Sequence, residues 1–266
     1  QIGTTLETSA EKNSFSITLS GIDSNLAASL QLLRHFMDYA KADKKSMKSL
    51  ASTYQVNDRS FIKDAGNIAD AITEKVAFGD KSSYINHLST SDIKKMNGEE
   101  LIALFKELQK NECSIVYSGQ LSASDVENAV NDYMPIGQAS LPASIVYRPM
   151  QTIEKPTVYI FDMPTARQTK IGTYQAVNPC ATDGEKAKLK IWGSYFGGGF
   201  SSLLFQEIRE FRSYAYHAYG YDQQPPIMFT ADRPAYMTEL STQNDKTLLA
   251  LGTLDSLFLD MPLREQ

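Results

Sequence analysis

The spacing of apolar residues changes along the chain between the period of a strand and the period of a helix. Residues 14–21 place Phe15, Ile17 and Leu19 at every second position among serines and threonine, which predicts a half-buried strand. Apolar residues at helical spacing follow Asp23, which can cap a helix start. The same spacing predicts further helices within 40–80, after 89–92, over 98–108 and over 124–133.

Two short apolar segments predict buried strands on either side of a proline-rich stretch. The first is CSIVYSG at 113–119, where Cys113 would act as a small buried hydrophobe, and the second is TVYIFD at 157–162. Prolines recur through 134–156, which favours an extended linker between domains. Beyond it the pattern predicts a strand at 169–176, a helix at 183–195, a strand at 236–242 and a helix from Asp245 through Phe258.

The most specific stretch is GGGFSSLLFQEIREFRSYAYHAY at residues 197–219. A glycine triplet opens a helix whose predicted apolar side comprises Leu204, Ile208 and Phe211. From Tyr214 the period changes to two, which predicts a strand. One face of that strand should carry Tyr214, Tyr216 and Ala218, and the other should carry Ala215, His217 and Tyr219.

The order of these elements predicts an α+β fold, with helices packed on one face of mostly antiparallel sheets. The 266 residues are enough for two domains. We expect one α+β domain over 1–133, the proline-rich linker over 134–156, and a second α+β domain over 157–266.

Composition and charge narrow the function classes. The chain is 42% hydrophobic and 21% charged, as folded soluble proteins are, and its net charge of -5 gives no reason to expect nucleic-acid binding. No apolar run approaches the ~18 residues that a membrane span needs. Cys113 and Cys180 form no motif, so the cysteines do not distinguish a reducing cytoplasmic location from an oxidising periplasmic one.

Catalytic motifs around the glycine triplet are incomplete. Serines follow the glycines, but no G-x-S-x-G elbow exists. The triplet is followed by no Lys-Ser/Thr and belongs to no G-x-G-x-x-G, which argues against a nucleotide site. Arg209 and Tyr216 remain as candidates. On spacing alone a structural role is favoured, in which Arg209 pairs with Glu207 or Glu210 and Tyr216 fills the sheet.

This stretch resembles the second-half signature of the pitrilysin/insulinase family of zinc metallopeptidases, which includes insulin-degrading enzyme and mitochondrial processing peptidase. In that family a glycine-rich loop leads into a Ser-x-Leu-Phe-x-x-Ile-Arg-Glu helix and an Ala-Tyr strand. The matching residues here are Ser202, Leu204, Phe205, Ile208, Arg209, Glu210, Ala215 and Tyr216. More diffusely, residues 14–133 resemble the later half of one family domain, and 157–266 resemble the opening part of the next.

The resemblance implies zinc in the full enzyme, bound outside this chain. The family holds its zinc on an inverted His-x-x-Glu-His helix with a distal Glu. The histidines here are His35, His87 and His217; none begins that motif, and none lies at ligand spacing from another. We therefore expect no metal ligands here, and we expect the chain to be inactive alone.

The resemblance further implies the C-terminal, non-zinc half of a metallopeptidase, which closes the substrate chamber and helps to bind peptide for proteolysis. Arg209 would bind a substrate carbonyl, and the Tyr216 hydroxyl would stabilise the oxyanion. Gly197, Gly198 and Gly199 would line substrate entry. The implied partners are a peptide substrate and a zinc-bearing N-terminal half or partner subunit. The alternative is a catalytically inactive structural or assembly subunit of the same fold.

Overall fold

The computed structural model describes residues 2–11, 13–135, 137, 146–225 and 232–264. They belong to two compact units: the first comprises Gln1–Gln55 and Leu88–Tyr147, and the second comprises Val56–His87 and Arg148–Gln266. Residues 56–87 thus belong to the second unit, whereas the domains predicted from the sequence place them in 1–133. Those predicted domain boundaries stay a prediction.

Helices and antiparallel strands make up both units, so the predicted α+β class is confirmed. The described helices are α1 (Leu26–Tyr39), α2 (Lys44–Phe61), α3 (Ala65–Phe78), α4 (Thr90–Lys95), α5 (Gly98–Leu108), α6 (Ala123–Tyr133), α7 (Asp183–Gly197) and α8 (Thr247–Leu259). The described strands are β1 (Thr5–Ala10), β2 (Phe15–Ser20), β3 (Gln168–Ala176), β4 (Ala215–Gln223) and β5 (Ala235–Gln243). A π-helix over Phe205–Glu210 lies between α7 and β4.

The first unit is built on one antiparallel hairpin and its helices. β1, which the spacing did not predict, pairs with β2 from Thr5–Ser20 to Ala10–Phe15. Asp23 precedes α1 and accepts hydrogen bonds from the Tyr117 hydroxyl at 2.7 Å and from the Gln120 backbone N–H at 2.9 Å. These bonds hold the pKa of Asp23 below its ordinary value and attach the loop before α6 to the start of α1.

The second unit is built on a three-stranded sheet in the order β3-β5-β4, with both pairs antiparallel. The π-helix and helices α7 and α8 cover one face of this sheet, which supplies alternate residues to a single core. The buried core residues are Phe196, Leu203, Leu204, Ile208, Ala215, Ala218, Tyr236, Leu240, Leu254 and Leu257. Helix α3 packs against β3, with Thr73 3.5 Å from the position of a Cβ on Gly172.

Helix α3 is fixed at both ends by carboxylates. Asp64 accepts a hydrogen bond from the Asn67 N–H and so caps the first turn. Near the other end, Glu74 accepts hydrogen bonds from Ser82, Ser83 and Arg148. Burial raises the pKa of Glu74, but these hydrogen bonds outweigh burial and leave the pKa below its ordinary value.

Two predicted strands are wrong. Residues 113–119 and 157–162 have no strand hydrogen bonding within the described residues, and Cys113 is exposed instead of buried. Val116, Val158 and Ile160 are more than four-fifths exposed. An extended segment becomes a strand only when a neighbour satisfies its backbone groups, and no described segment pairs with either one.

Candidate functional site

Helix α7 approaches the sheet so closely that only glycine fits at its last position. A Cβ on Gly197 would lie 2.5 Å from the Gly220 nitrogen of β4. Gly193, one turn earlier, accepts a hydrogen bond at 3.0 Å from the buried Tyr236 hydroxyl. Gly197 is itself buried. The close packing of α7 on β4 therefore explains why residue 197 is a glycine.

Gly198 and Gly199 differ from Gly197 because they form the exposed turn after α7. Gly199 has φ +136°, a conformation that side chains with a Cβ rarely adopt. Its carbonyl accepts a hydrogen bond from the Ser202 hydroxyl at 2.6 Å, and that hydroxyl in turn accepts one from the Phe205 N–H at 3.4 Å. Ser202 thereby links the glycine turn to the next helix.

The helix after the glycines contains a π-helix, and a turn with φ +51° at Ser213 reverses the chain after it. Backbone hydrogen bonds close this turn from Ser213 to Arg209 at 2.9 Å and from Tyr214 to Ile208 at 2.8 Å. Leu204 and Ile208 are buried as predicted, but Phe211 is 62% exposed, so its predicted place on the apolar side is wrong. The wider π turn changes which positions share a face.

A β-bulge changes the predicted faces of β4. Ala215 pairs with Thr242 and His217 pairs with Ser241, so Tyr216 is the extra residue. Ala215 and Ala218 are buried, whereas Tyr216 and His217 are exposed. The predicted grouping of Tyr216 with Ala218 is therefore wrong, because one inserted residue shifts the two-residue period by one position.

The reversal brings Arg209 and Tyr216 together. The Arg209 guanidinium carbon lies 4.8 Å from the centre of the Tyr216 ring and 4.6 Å from that of Phe205. Tyr216 is 78% exposed and does not fill the sheet. Its hydroxyl, like the Nη atoms of Arg209, has no hydrogen-bond partner among the described residues.

Neighbouring charges are neutralised within the chain. Arg209 Nε lies 3.5 Å from Glu210 Oε1. Glu207, the other carboxylate weighed for Arg209, instead binds Arg212 and Arg264. The ion pair predicted as a structural role for Arg209 is therefore present with Glu210, but it engages Nε and not the outer guanidinium nitrogens.

A second polar group lies on β4 and β5. Glu239 accepts hydrogen bonds from the hydroxyls of Tyr219 at 2.5 Å and Tyr221 at 3.1 Å. Burial and the Glu239 carboxylate raise the pKa of both tyrosines well above the ordinary value, so both hydroxyls stay protonated. Sequence reasoning missed this group, although the two-residue spacing of the tyrosines places them on one face.

The zinc that the resemblance implies does not fit this chain. The described residues contain no cluster of three or more histidine, cysteine, aspartate or glutamate side chains that could hold a metal ion. His87 Nδ1 lies 2.8 Å from the Tyr84 carbonyl oxygen, the His35 ring packs at a tilt against Tyr39, and the His217 ring packs edge-to-face against Tyr219. Each histidine thus lies in a different neighbourhood, and no reaction step can be assigned to a metal here.

Among the described helices, none combines the length and the apolar character needed to cross a membrane.

Comparison with known sequences gives one family. Residues 95–259 match the family described as the peptidase M16 inactive domain. No curated protein matches the chain.

Solved structures share the fold at low sequence identity. The peptidase M16 inactive domain from Pseudomonas fluorescens is 20% identical, with a TM-score of 0.65 over 98% of this chain and 64% of that one. A protease from Helicobacter pylori is 13% identical, with a TM-score of 0.67 over 99% and 64%. The ferredoxin protease FusC, in complex with Arabidopsis ferredoxin, is 14% identical, with a TM-score of 0.68 over 97% and 28%. The chain thus spans less than two thirds of these proteins.

Proposed function

The chain belongs to the peptidase M16 family, in which it matches the inactive domain, and on that premise we propose that it closes the substrate chamber of a zinc-dependent metallopeptidase and helps to bind peptide. The zinc-bearing half would be supplied by the same polypeptide or by a partner subunit. The substrates would be peptides or unfolded segments small enough to be enclosed. A relative that is a ferredoxin protease fits this substrate class.

One observation carries the proposal: Arg209 and Tyr216 lie side by side on an exposed surface with their outer polar atoms available. In this role the Arg209 guanidinium donates a hydrogen bond to a substrate carbonyl and positions the peptide. The Tyr216 hydroxyl donates to the oxygen that becomes negative in the tetrahedral intermediate. The exposed turn at Gly198 and Gly199 precedes the helix that carries Arg209, and no atom lies within 4 Å of a Cβ position on Gly199.

Substitution of Tyr216 in the assembled peptidase tests this proposal. We expect Tyr216→Phe to lower kcat about 10²- to 10³-fold, the usual effect of removing one oxyanion donor. The melting temperature should stay unchanged, because the ring remains and the side chain is largely exposed. Arg209→Ala should lower kcat/KM through lost positioning of the peptide.

Tyr39→Phe is the matched control, because Tyr39 is also largely exposed but lies on α1 in the first unit. It should leave both kinetic constants at their original values. If Tyr216→Phe behaves like this control, the oxyanion role is refuted. If Tyr216→Phe leaves kcat unchanged and Arg209→Ala leaves kcat/KM unchanged, the inactive structural or assembly subunit is favoured.

A further inference from the structure

Two aromatic side chains, Phe200 and Phe205, extend the Arg209–Tyr216 pair toward the glycine turn. The Phe200 ring packs edge-to-face on Phe205 at 5.0 Å between ring centres, and Phe205 lies under the Arg209 guanidinium, which lies on Tyr216. We call Phe200, Phe205, Arg209 and Tyr216 the aromatic row. It connects the residue that directly follows Gly199 with the candidate oxyanion donor.

Phe200 has a fixed backbone but an exposed ring. Its carbonyl accepts a hydrogen bond from Gln206 Nε2 at 2.6 Å, which anchors it to the helix carrying Arg209. Its side chain is nonetheless 78% exposed, as is Tyr216 at the other end of the aromatic row. An aromatic ring that is held in place and left open to solvent loses little conformational freedom when it binds a ligand.

The charges beside the aromatic row leave an apolar surface at Phe200. Glu210 is taken by Arg209, and Glu207 is shared by Arg212 and Arg264. Both of these carboxylates are therefore neutralised by arginines, so these ion pairs give no reason to expect a charged ligand at Phe200. An apolar side chain, above all an aromatic one, gains edge-to-face or stacked contact with such a ring.

We propose that Phe200 is a specificity-determining residue, which receives an aromatic or large aliphatic side chain of the peptide while Arg209 and Tyr216 act on its backbone. The inference rests on the proposed function and names the substrate class of the same site. Peptides with a bulky apolar residue at one position would be preferred over otherwise identical peptides with alanine there. A single exposed ring discriminates only modestly between side chains, so the preference should be graded.

The test uses the assembled peptidase and internally quenched peptides of glycine, serine and alanine, in which a single phenylalanine replaces alanine at each position in turn. The measured quantity is the ratio of kcat/KM between the phenylalanine peptide and its alanine counterpart. Phe200→Ala should lower the largest ratio about five- to tenfold, and Phe200→Leu should lower it less. Phe211→Ala, which removes an exposed ring packed under Arg264, is the matched control and should keep the original ratio.

Four outcomes would overturn the proposal. If Phe200→Ala leaves kcat/KM unchanged on both peptides while Tyr216→Phe still lowers kcat, the specificity role is refuted but the proposed function stays intact. An equal loss on both peptides would make Phe200 a positioning residue for Arg209. A lower melting temperature for Phe200→Ala in the assembled enzyme would show a packing role. If neither Tyr216→Phe nor Arg209→Ala changes kcat or kcat/KM, the proposed function fails and the inference fails with it.

Discussion

Individual glycines set the distance between helix α7 and the sheet. Gly197 faces Gly220 across a gap that a single Cβ would close, and the Tyr236 ring occupies the remaining space. A Cβ on Gly220 would lie 2.4 Å from the Tyr236 hydroxyl oxygen. Gly197 directly precedes the turn at Gly198 and Gly199 in the chain. The packing of Gly197 against β4 therefore positions the candidate site.

We therefore expect Gly220→Ala to lower the free energy of unfolding by about 1–3 kcal/mol, the usual effect of overpacking a core. Gly172→Ala on β3 is the control, because its Cβ would make an ordinary 3.5 Å contact with Thr73 and should change stability little. Urea unfolding measures both. Adding Tyr236→Phe to Gly220→Ala should recover part of the loss, since the closest atom is removed. Equal stability of the two alanine variants would contradict the steric account.

At the scale of elements, the Arg209–Tyr216 pair lies at two irregularities, a π-helix and a β-bulge. Arg209 lies within the π-helix and contacts the Phe205 ring, and the bulge in β4 exposes Tyr216 beside them. Regular elements with the same sequence periods would put Tyr216 on the face that carries Ala218. Sequence reasoning predicted the helix and the strand, but not these irregularities, because a one-residue insertion leaves no periodic signal.

The end of α3 is held by a partly buried ion pair that has a predictable pH dependence. Arg148 Nη2 lies 2.9 Å from Glu74 Oε1, and both side chains are about 85% buried. Hydrogen bonds keep the pKa of Glu74 below its unfolded value, so its contribution to stability is complete above the unfolded pKa. That contribution is lost as the pH falls through the lower, folded pKa.

We expect Glu74→Gln to destabilise the protein by about 1–3 kcal/mol at pH 7, because a hydrogen-bonded charge is lost. The difference from the unsubstituted protein should shrink as the pH falls through the lowered, folded pKa of Glu74, since wild-type Glu74 then becomes neutral as well. Chemical unfolding at several pH values measures this. Asp80→Asn is the control, because Asp80 pairs with Lys75 while fully exposed and should matter little. A pH-independent difference would mean that shape, not charge, stabilises this end.

At the scale of the whole molecule, apolar surface is left without cover. The segment 157–162 exposes Val158, Tyr159, Ile160 and Phe161. Helix α8 buries one side, but Leu248 and Leu259 of the same helix are about four-fifths exposed. An all-round apolar helix is typical of an element surrounded by protein. The chain spans about 64% of the similar structures from P. fluorescens and H. pylori.

Zinc binding gives a prediction for the whole molecule. We expect the purified chain to bind no stoichiometric zinc and to leave a fluorogenic peptide uncleaved, because its histidines lie in separate neighbourhoods. Metal analysis and a peptide assay measure this, with the assembled peptidase as the positive control. One zinc per chain together with turnover would refute the assignment of zinc to the other half.

The sequence by itself determined the family, the α+β class and most helices. These depend on local periodicity and on a contiguous motif, which the order of residues contains in full. Tertiary structure decided what depends on neighbours distant in the chain. Residues 113–119 and 157–162 carry strand-like sequences but find no partner among the described residues, so they stay exposed. Likewise, the bulge that exposes Tyr216 exists only in the register between β4 and β5, which no local pattern in the sequence specifies.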